Sequence, residues 1–221
     1  VAMVISGVVA YVFGMDLKAV MNGQPTAIIP GEVLVSMYSG PIRWVIMLAP
    51  LGMVFLFGAA MRKMSDSGAQ LFFWAFAALM GLSIASIFAV YTGISIAQTF
   101  FATAIAFGGL SLYGYTTKKD LSGMGTFLLM GVIGLIVASL INIFIESSAL
   151  QFAISVVGVL VFAGLTAYDT QQIKNEYLEL RAMGPQGEAY VGKSAIGGAL
   201  RLYLDFLNMF MFLLQFMGNR E

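Results

Sequence analysis

Two acids lie where acids are rare. Asp169 closes a stretch from Ser147 to Tyr168 that carries no charge, and Asp205 sits nearer the middle of a second apolar run, in Arg201-Leu202-Tyr203-Leu204-Asp205-Phe206-Leu207-Asn208. An acid at the centre of a membrane-spanning helix costs about 2.5 to 3.5 kcal/mol on insertion scales, so it usually faces a protein interior, a cavity or a partner charge. Brought together in a dry vestibule, two carboxyls resist double ionisation and titrate as a unit, one of them well above the ordinary value of about 4. A guanidinium beside them favours the charged form, and Arg62 ends a span on the same face as Asp169. The chemistry is a pH-sensitive latch: ionised Asp169 holds Arg62, and protonating the pair lets that span move. The chain has no histidine, so a response near neutral pH has to come from such shifted carboxylates.

Plainer readings of the same residues stand beside this one. Asp169 could already have reached the headgroups. Arg201 precedes Asp205 by four residues, the spacing of an intrahelical ion pair. Arg62, next to Lys63, could be a snorkelling anchor. Asn142, Asn208 and Gln98 suit hydrogen bonds between helices, and the fifteen methionines suit packing and lipid contact.

The elements that position these groups follow from composition. Of 221 residues, 60% are hydrophobic and 10% charged, with a mean hydropathy of +0.91, which belongs to an all-α integral membrane protein. Ser67 to Thr117 contains no charge, room for two spans of about 20 residues. Eleven basic and eleven acidic residues cancel, leaving no field to recruit nucleic acid. Absent cysteines exclude disulfides and thiolate chemistry.

Taken in order, Val1 to Gly14 would make about 21 Å of helix, short of the roughly 30 Å core, and no basic region precedes it as in a signal peptide. It reads as a transmembrane helix truncated at its N-terminus. Residues 15 to 42, with Pro25, Pro30 and Pro41, read as a loop with at most a short interfacial piece. Further spans run from Arg43 to about Met61, with Pro50 inside, Leu71 to Val90, Ile96 to Tyr115, a fifth to about Ile145, a sixth carrying Asp169, and Ala195 to Met217. Residues 174 to 193 continue the sixth helix until Gly184-Pro185 ends it. The result is a seven-transmembrane helix bundle, a single domain over residues 1 to 221, with no evident internal repeat.

Loops after the second, fourth and sixth spans hold Arg62, Lys63, Lys118, Lys119, Lys174, Arg181 and Lys193, against Lys18, Arg43 and Arg220 on the other face. The positive-inside rule then places the N-terminus in the cytoplasm and the C-terminus outside.

Three segments together resemble the transmembrane Bax inhibitor motif family, in a bacterial member: Thr117-Lys118-Lys119-Asp120-Leu121-Ser122, the run from Ala167 to Lys174 that includes Tyr168, and Leu202 to Asn208. The resemblance implies a central helix ringed by the others in a bacterial inner membrane, and a pH-sensitive calcium leak. It places a di-aspartyl sensor on Asp169 and Asp205 and an arginine latch on Arg62; beside these, Arg201, Asn208 and Tyr168 are the candidate supporting groups.

Two carboxylates cannot supply the six to eight oxygens of a tight Ca²⁺ site, so Asp169 and Asp205 suit a weak, transient cation station. Calcium is then a permeant ion, and no cofactor is expected. An intramembrane aspartyl protease is a partial fit, because Asp205 lacks the preceding Gly-x-Gly and no Pro-Ala-Leu occurs; no enzyme is expected. The remaining alternative is a non-transporting regulator that binds a membrane protease or another membrane protein. The expected partners are lipid, Ca²⁺ and possible membrane proteins.

Overall fold

A computed structural model describes residues 1–61 and 63–220. Its helices are α1 (Ala2–Met21), α2 (Gly31–Ser39), α3 (Ile42–Met61), α4 (Asp66–Ile84), α5 (Ile87–Val90), α6 (Gly93–Thr116), α7 (Gly125–Ile145), α8 (Ser148–Ala182) and α9 (Pro185–Met217). Among the described residues six candidate spans are long and apolar enough to cross a membrane, or seven if the bent pair α2 and α3, meeting at 68°, is one span. Among the described residues there is no strand, only an isolated bridge between Tyr91 and Arg220. The all-helical membrane architecture expected from composition is the one observed.

Two compact units divide the chain. The first comprises Val1–Gly93 with the C-terminal residues from Asn219. Within it α1 packs along α4 through small residues: Ser6 meets Ala77 and Gly81, and Gly14 meets Ala85 just past the end of α4. Ser6 Oγ donates to the Ala77 carbonyl at 2.7 Å. A Cβ on Gly14 would collide with the Ala85 carbonyl oxygen, so only a residue without one permits this approach. The helix does not stop at Gly14, as the sequence reading had it, but continues to Met21, giving about 30 Å. Asp16, inside it, is satisfied because residues 27 to 29 fold back and donate their backbone N–H groups to its carboxylate at 2.7–2.9 Å. The expected loop 15–42 is thus half helix. The span expected from Leu71 to Val90 is also interrupted, at Ala85 and Ser86 between α4 and α5, whereas Pro50 leaves α3 continuous.

The second unit is Ile94–Gly218, built from α6 to α9. Ser147 caps α8, its hydroxyl accepting from Leu150 N at 3.3 Å. At 35 residues, α8 is about 52 Å long, so it outlasts a hydrocarbon core of about 30 Å and carries the charged continuation expected after Asp169. Pro185 opens α9 at a position where its missing N–H costs nothing. The last helix therefore starts ten residues before the expected Ala195. Helices α8 and α9 run antiparallel over their length, with Gly158 against Phe212 and Ile173 against Gly198. Their core joins Leu135 of α7, Ile154, Val161 and Phe162 of α8, and Met209 of α9. Phe206 takes edge contacts from Phe100 and Phe107, which dock α6 on α9.

Candidate functional site: an acid pair between two antiparallel helices

Antiparallel packing decides which residues of α8 and α9 can meet. Asp169 and Glu176, seven apart, lie on one face of α8; Arg201 and Asp205, four apart, lie on one face of α9. Because the helices run in opposite directions, Asp169 meets Asp205 and Glu176 meets Arg201. Asp169 and Asp205 come together between the two helices, within interaction range of each other, and the residues are only 9% and 4% exposed. Asp205 lies among buried Tyr203, Phe206 and Leu207, and its Oδ2 is buried without a partner.

The guanidinium of Arg201 leaves its own helix. Nη2 donates to Glu176 Oε2 at 2.9 Å, and Nη1 lies 3.9 Å from Asp169 Oδ1. The ion pairs of Arg201 therefore run to α8, with Glu176 the nearer partner, and the intrahelical pair with Asp205 is not the arrangement formed. Arg62, the expected latch, lies outside the described residues.

The run from Ala167 to Lys174 is a set of contacts made in turn around α8. A Cβ on Gly114 of α6 would run into the Ala167 carbonyl oxygen, and one on Gly125 would lie 2.6 Å from the Tyr168 hydroxyl. Tyr168 is thus a packing group against the start of α7. Gln171, 6% exposed, clamps the connection between α6 and α7: its Oε1 accepts from Leu121 N and its Nε2 donates to the Lys119 carbonyl, both at 2.8 Å. Gln172 Nε2 donates to Ser122 Oγ at 3.1 Å, and Lys174 Nζ to the Tyr115 carbonyl at 2.8 Å, over the Tyr115 ring. Asp120 closes the same loop by accepting from Ser122 N at 2.9 Å, and this bond, with one from the Ser122 side chain, holds its carboxyl below the usual range. The end of α8 that carries Asp169 is thereby fastened to the loop bearing Lys118 and Lys119.

At the opposite end of α8 a second polar group is assembled. Asn142 Nδ2 donates to Gln151 Oε1 at 3.1 Å, and Gln151 Nε2 donates to Gln215 Oε1 at 2.8 Å. This ties α7, α8 and α9 together, so Asn142 is the interhelical group expected of it. Asn208 is not: its Nδ2 donates to the Leu204 carbonyl one turn back on its own helix, where the donor is satisfied locally. Gln98 is exposed on α6. No group of three or more acidic or other metal-ligating side chains occurs among the described residues.

Sequence reasoning passed over Glu176 and Gln171. Glu176 stands seven residues after Asp169, two turns along the same face, and that spacing was signal enough. Gln171 gave none, because nothing in its identity says that it faces a loop fifty residues away.

The family model described as inhibitor of apoptosis-promoting Bax1 matches residues 1–221. An uncharacterized protein of Caulobacter vibrioides is 52% identical over 182 residues, covering 82% of this chain and 71% of the relative. The inner membrane protein YbhL of Escherichia coli K12 is 48% identical over 178 residues, 80% of this chain and 74% of that protein. An uncharacterized membrane protein of Streptococcus pyogenes serotype M3 is 37% identical over 169 residues, 76% and 71% of the two chains. With its all-helical membrane fold and a match over its full length, this chain belongs to the Bax inhibitor family, as the three sequence segments indicated.

Proposed function

We propose that this protein is a pH-controlled cation leak in a bacterial inner membrane, with calcium as the permeant ion. The observation that carries the reading is the meeting of two buried acids, Asp169 and Asp205, between α8 and α9, with Arg201 3.9 Å from Asp169. Such a pair holds one proton and one negative charge, and gaining a second proton removes the charge altogether. The charged state is the one an arginine can hold. Arg62 serves as the latch in this reading, and loss of the negative charge frees its helix and opens the path. Two carboxylates on their own give a cation a brief stop and not a store, which suits a leak. No catalytic step and no resident cofactor enter the reading.

Orientation forms part of the proposal. Thr92 N donates to the Asn219 carbonyl at 3.1 Å, which sets the C-terminus beside the connection between α5 and α6. By the lysine and arginine count that connection faces out, and the loop fastened by Gln171 faces the cytoplasm. The N-terminus is then cytoplasmic. The relative named as an inner membrane protein supports the compartment. The family description, an inhibitor of another protein, favours the second reading, a non-transporting regulator that binds a membrane partner.

Calcium flux into liposomes carrying the purified protein, read by a trapped dye at a series of pH values, tests the leak. Flux that rises as pH falls is expected. A wild type that passes no more calcium than empty liposomes at every pH eliminates the leak and leaves the regulator.

A further inference from the structure

Arg201 stands between two acids of one helix and is bonded unequally to them. It lies 2.9 Å from Glu176 and 3.9 Å from Asp169. A guanidinium has a fixed fork of donors, so a hold on one carboxylate restricts how it presents itself to another. Glu176 acts on it in two ways. It anchors the guanidinium on the side away from the acid pair, and it cancels part of the positive charge that the pair experiences.

We propose that Glu176 is a positioning residue that sets, through Arg201, the pH at which the Asp169–Asp205 pair takes up its proton. This rests on the reading of the pair as the sensor and adds a third acid that does not touch it. Freed from Glu176, Arg201 closes on Asp169 and brings an uncompensated charge; the ionised pair is favoured and more acid is needed to protonate it. Removing Arg201 has the opposite effect.

The other charged groups around this point do not supply the same control. Neither α6 nor α7 carries a charged residue. Lys174 of α8 is committed to the Tyr115 carbonyl and ring. Asp120, in the loop ahead of α7, is turned to Ser122. Arg181 and Glu188, further out on α8 and α9, are paired with each other at 3.5 Å. Glu179 of α8 is exposed. Of the described cations, Arg201 alone is recorded within ion-pair distance of the acid pair, and Glu176 is the nearer of its two partners.

The test follows the pair itself and not only its output. With the protein in lipid nanodiscs, the infrared band of the protonated carboxyl is titrated in the wild type, E176Q, R201Q and the double variant. Since an opposite charge within about 4–6 Å moves a carboxyl by about 1–3 pH units and Arg201 is already near, E176Q should lower the midpoint by about one unit. R201Q should raise it, and the double variant should match R201Q, because Glu176 has nothing left to act through. Both side chains are more than 40% exposed, so folding is not at risk; E176D, which keeps the charge at shorter reach, should fall between wild type and E176Q. An unmoved or raised midpoint in E176Q overturns the proposal, and so does a double variant in which the two shifts add. Calcium flux measured alongside separates the two readings: the expected band shifts without flux in the wild type support Glu176 and remove the leak, whereas flux with no band shift in E176Q removes Glu176 alone.

Discussion

Asp169 and Asp205 face each other from antiparallel helices, carboxyl to carboxyl, while Arg201, one turn before Asp205, directs its guanidinium back to α8. In the proposed mechanism the pair shares one proton, so removing either partner alters it, and the two removals differ.

Asp169→Asn deletes the acid that lies nearer Arg201 and, in the proposed mechanism, the charge that Arg62 needs. Calcium flux should lose its normal dependence on pH. Liposome flux curves for the variant that retain the wild-type midpoint and amplitude would remove Asp169 from the mechanism.

Asp205→Asn acts as a permanently neutral partner, so Asp169 titrates alone at lower pH and opening should require more acid. Arg62→Ala should do the reverse and favour leak at alkaline pH. If both curves move in the same direction, or overlay the wild type, the shared-proton latch is wrong.

Close packing at Gly114 should matter more to stability than the glutamine pair at the other end of α8. A Cβ at Gly114 meets backbone, the Ala167 carbonyl, which cannot swing aside. Gly114→Val should therefore destabilise by about 1–3 kcal/mol as an overpacked core does. Gln151→Leu, which breaks the links to Asn142 and Gln215, should cost about 1.2 kcal/mol, at roughly 0.6 kcal/mol for each of two hydrogen bonds between membrane helices. Gly134→Ala, where a Cβ meets nothing within 4 Å, is the control. Thermal unfolding in one detergent ranks the three, and a Gly114 variant as stable as the control contradicts the packing argument.

Asp16→Ala leaves the N–H groups of Ala27, Ile28 and Ile29 without their acceptor. Residues 22 to 30 should then exchange their amide hydrogens much faster and become open to protease, with α1 otherwise intact. Unchanged exchange at those three amides would mean that the loop is held by something else.

A reporter fused to the C-terminus should lie outside the cytoplasm. A reporter active only in the cytoplasm should be silent there, and a cytoplasmic signal would reverse the lysine and arginine reading.

Composition and charge spacing were enough to define an α-helical membrane protein. Apolar runs of about 20 residues with no internal partner for their backbone must be helical in lipid, whatever their neighbours. The same logic picked out Asp169 and Asp205, because an acid in an uncharged run is conspicuous without any structure, and the motif segments around them carried the family. Helix ends were less legible. The first helix was expected to end at Gly14, yet α1 continues through Asp16 and Lys18, since the Asp16 carboxylate is satisfied by amides of a loop eleven to thirteen residues ahead. Likewise α9 begins at Pro185 among charged residues, because an extension beyond the membrane need not be apolar. Partner choice belonged wholly to the tertiary structure. On one helix Arg201 is placed to pair with Asp205, and only the antiparallel register of α8 against α9 gives its guanidinium to Glu176 and Asp169 and leaves the two aspartates to each other.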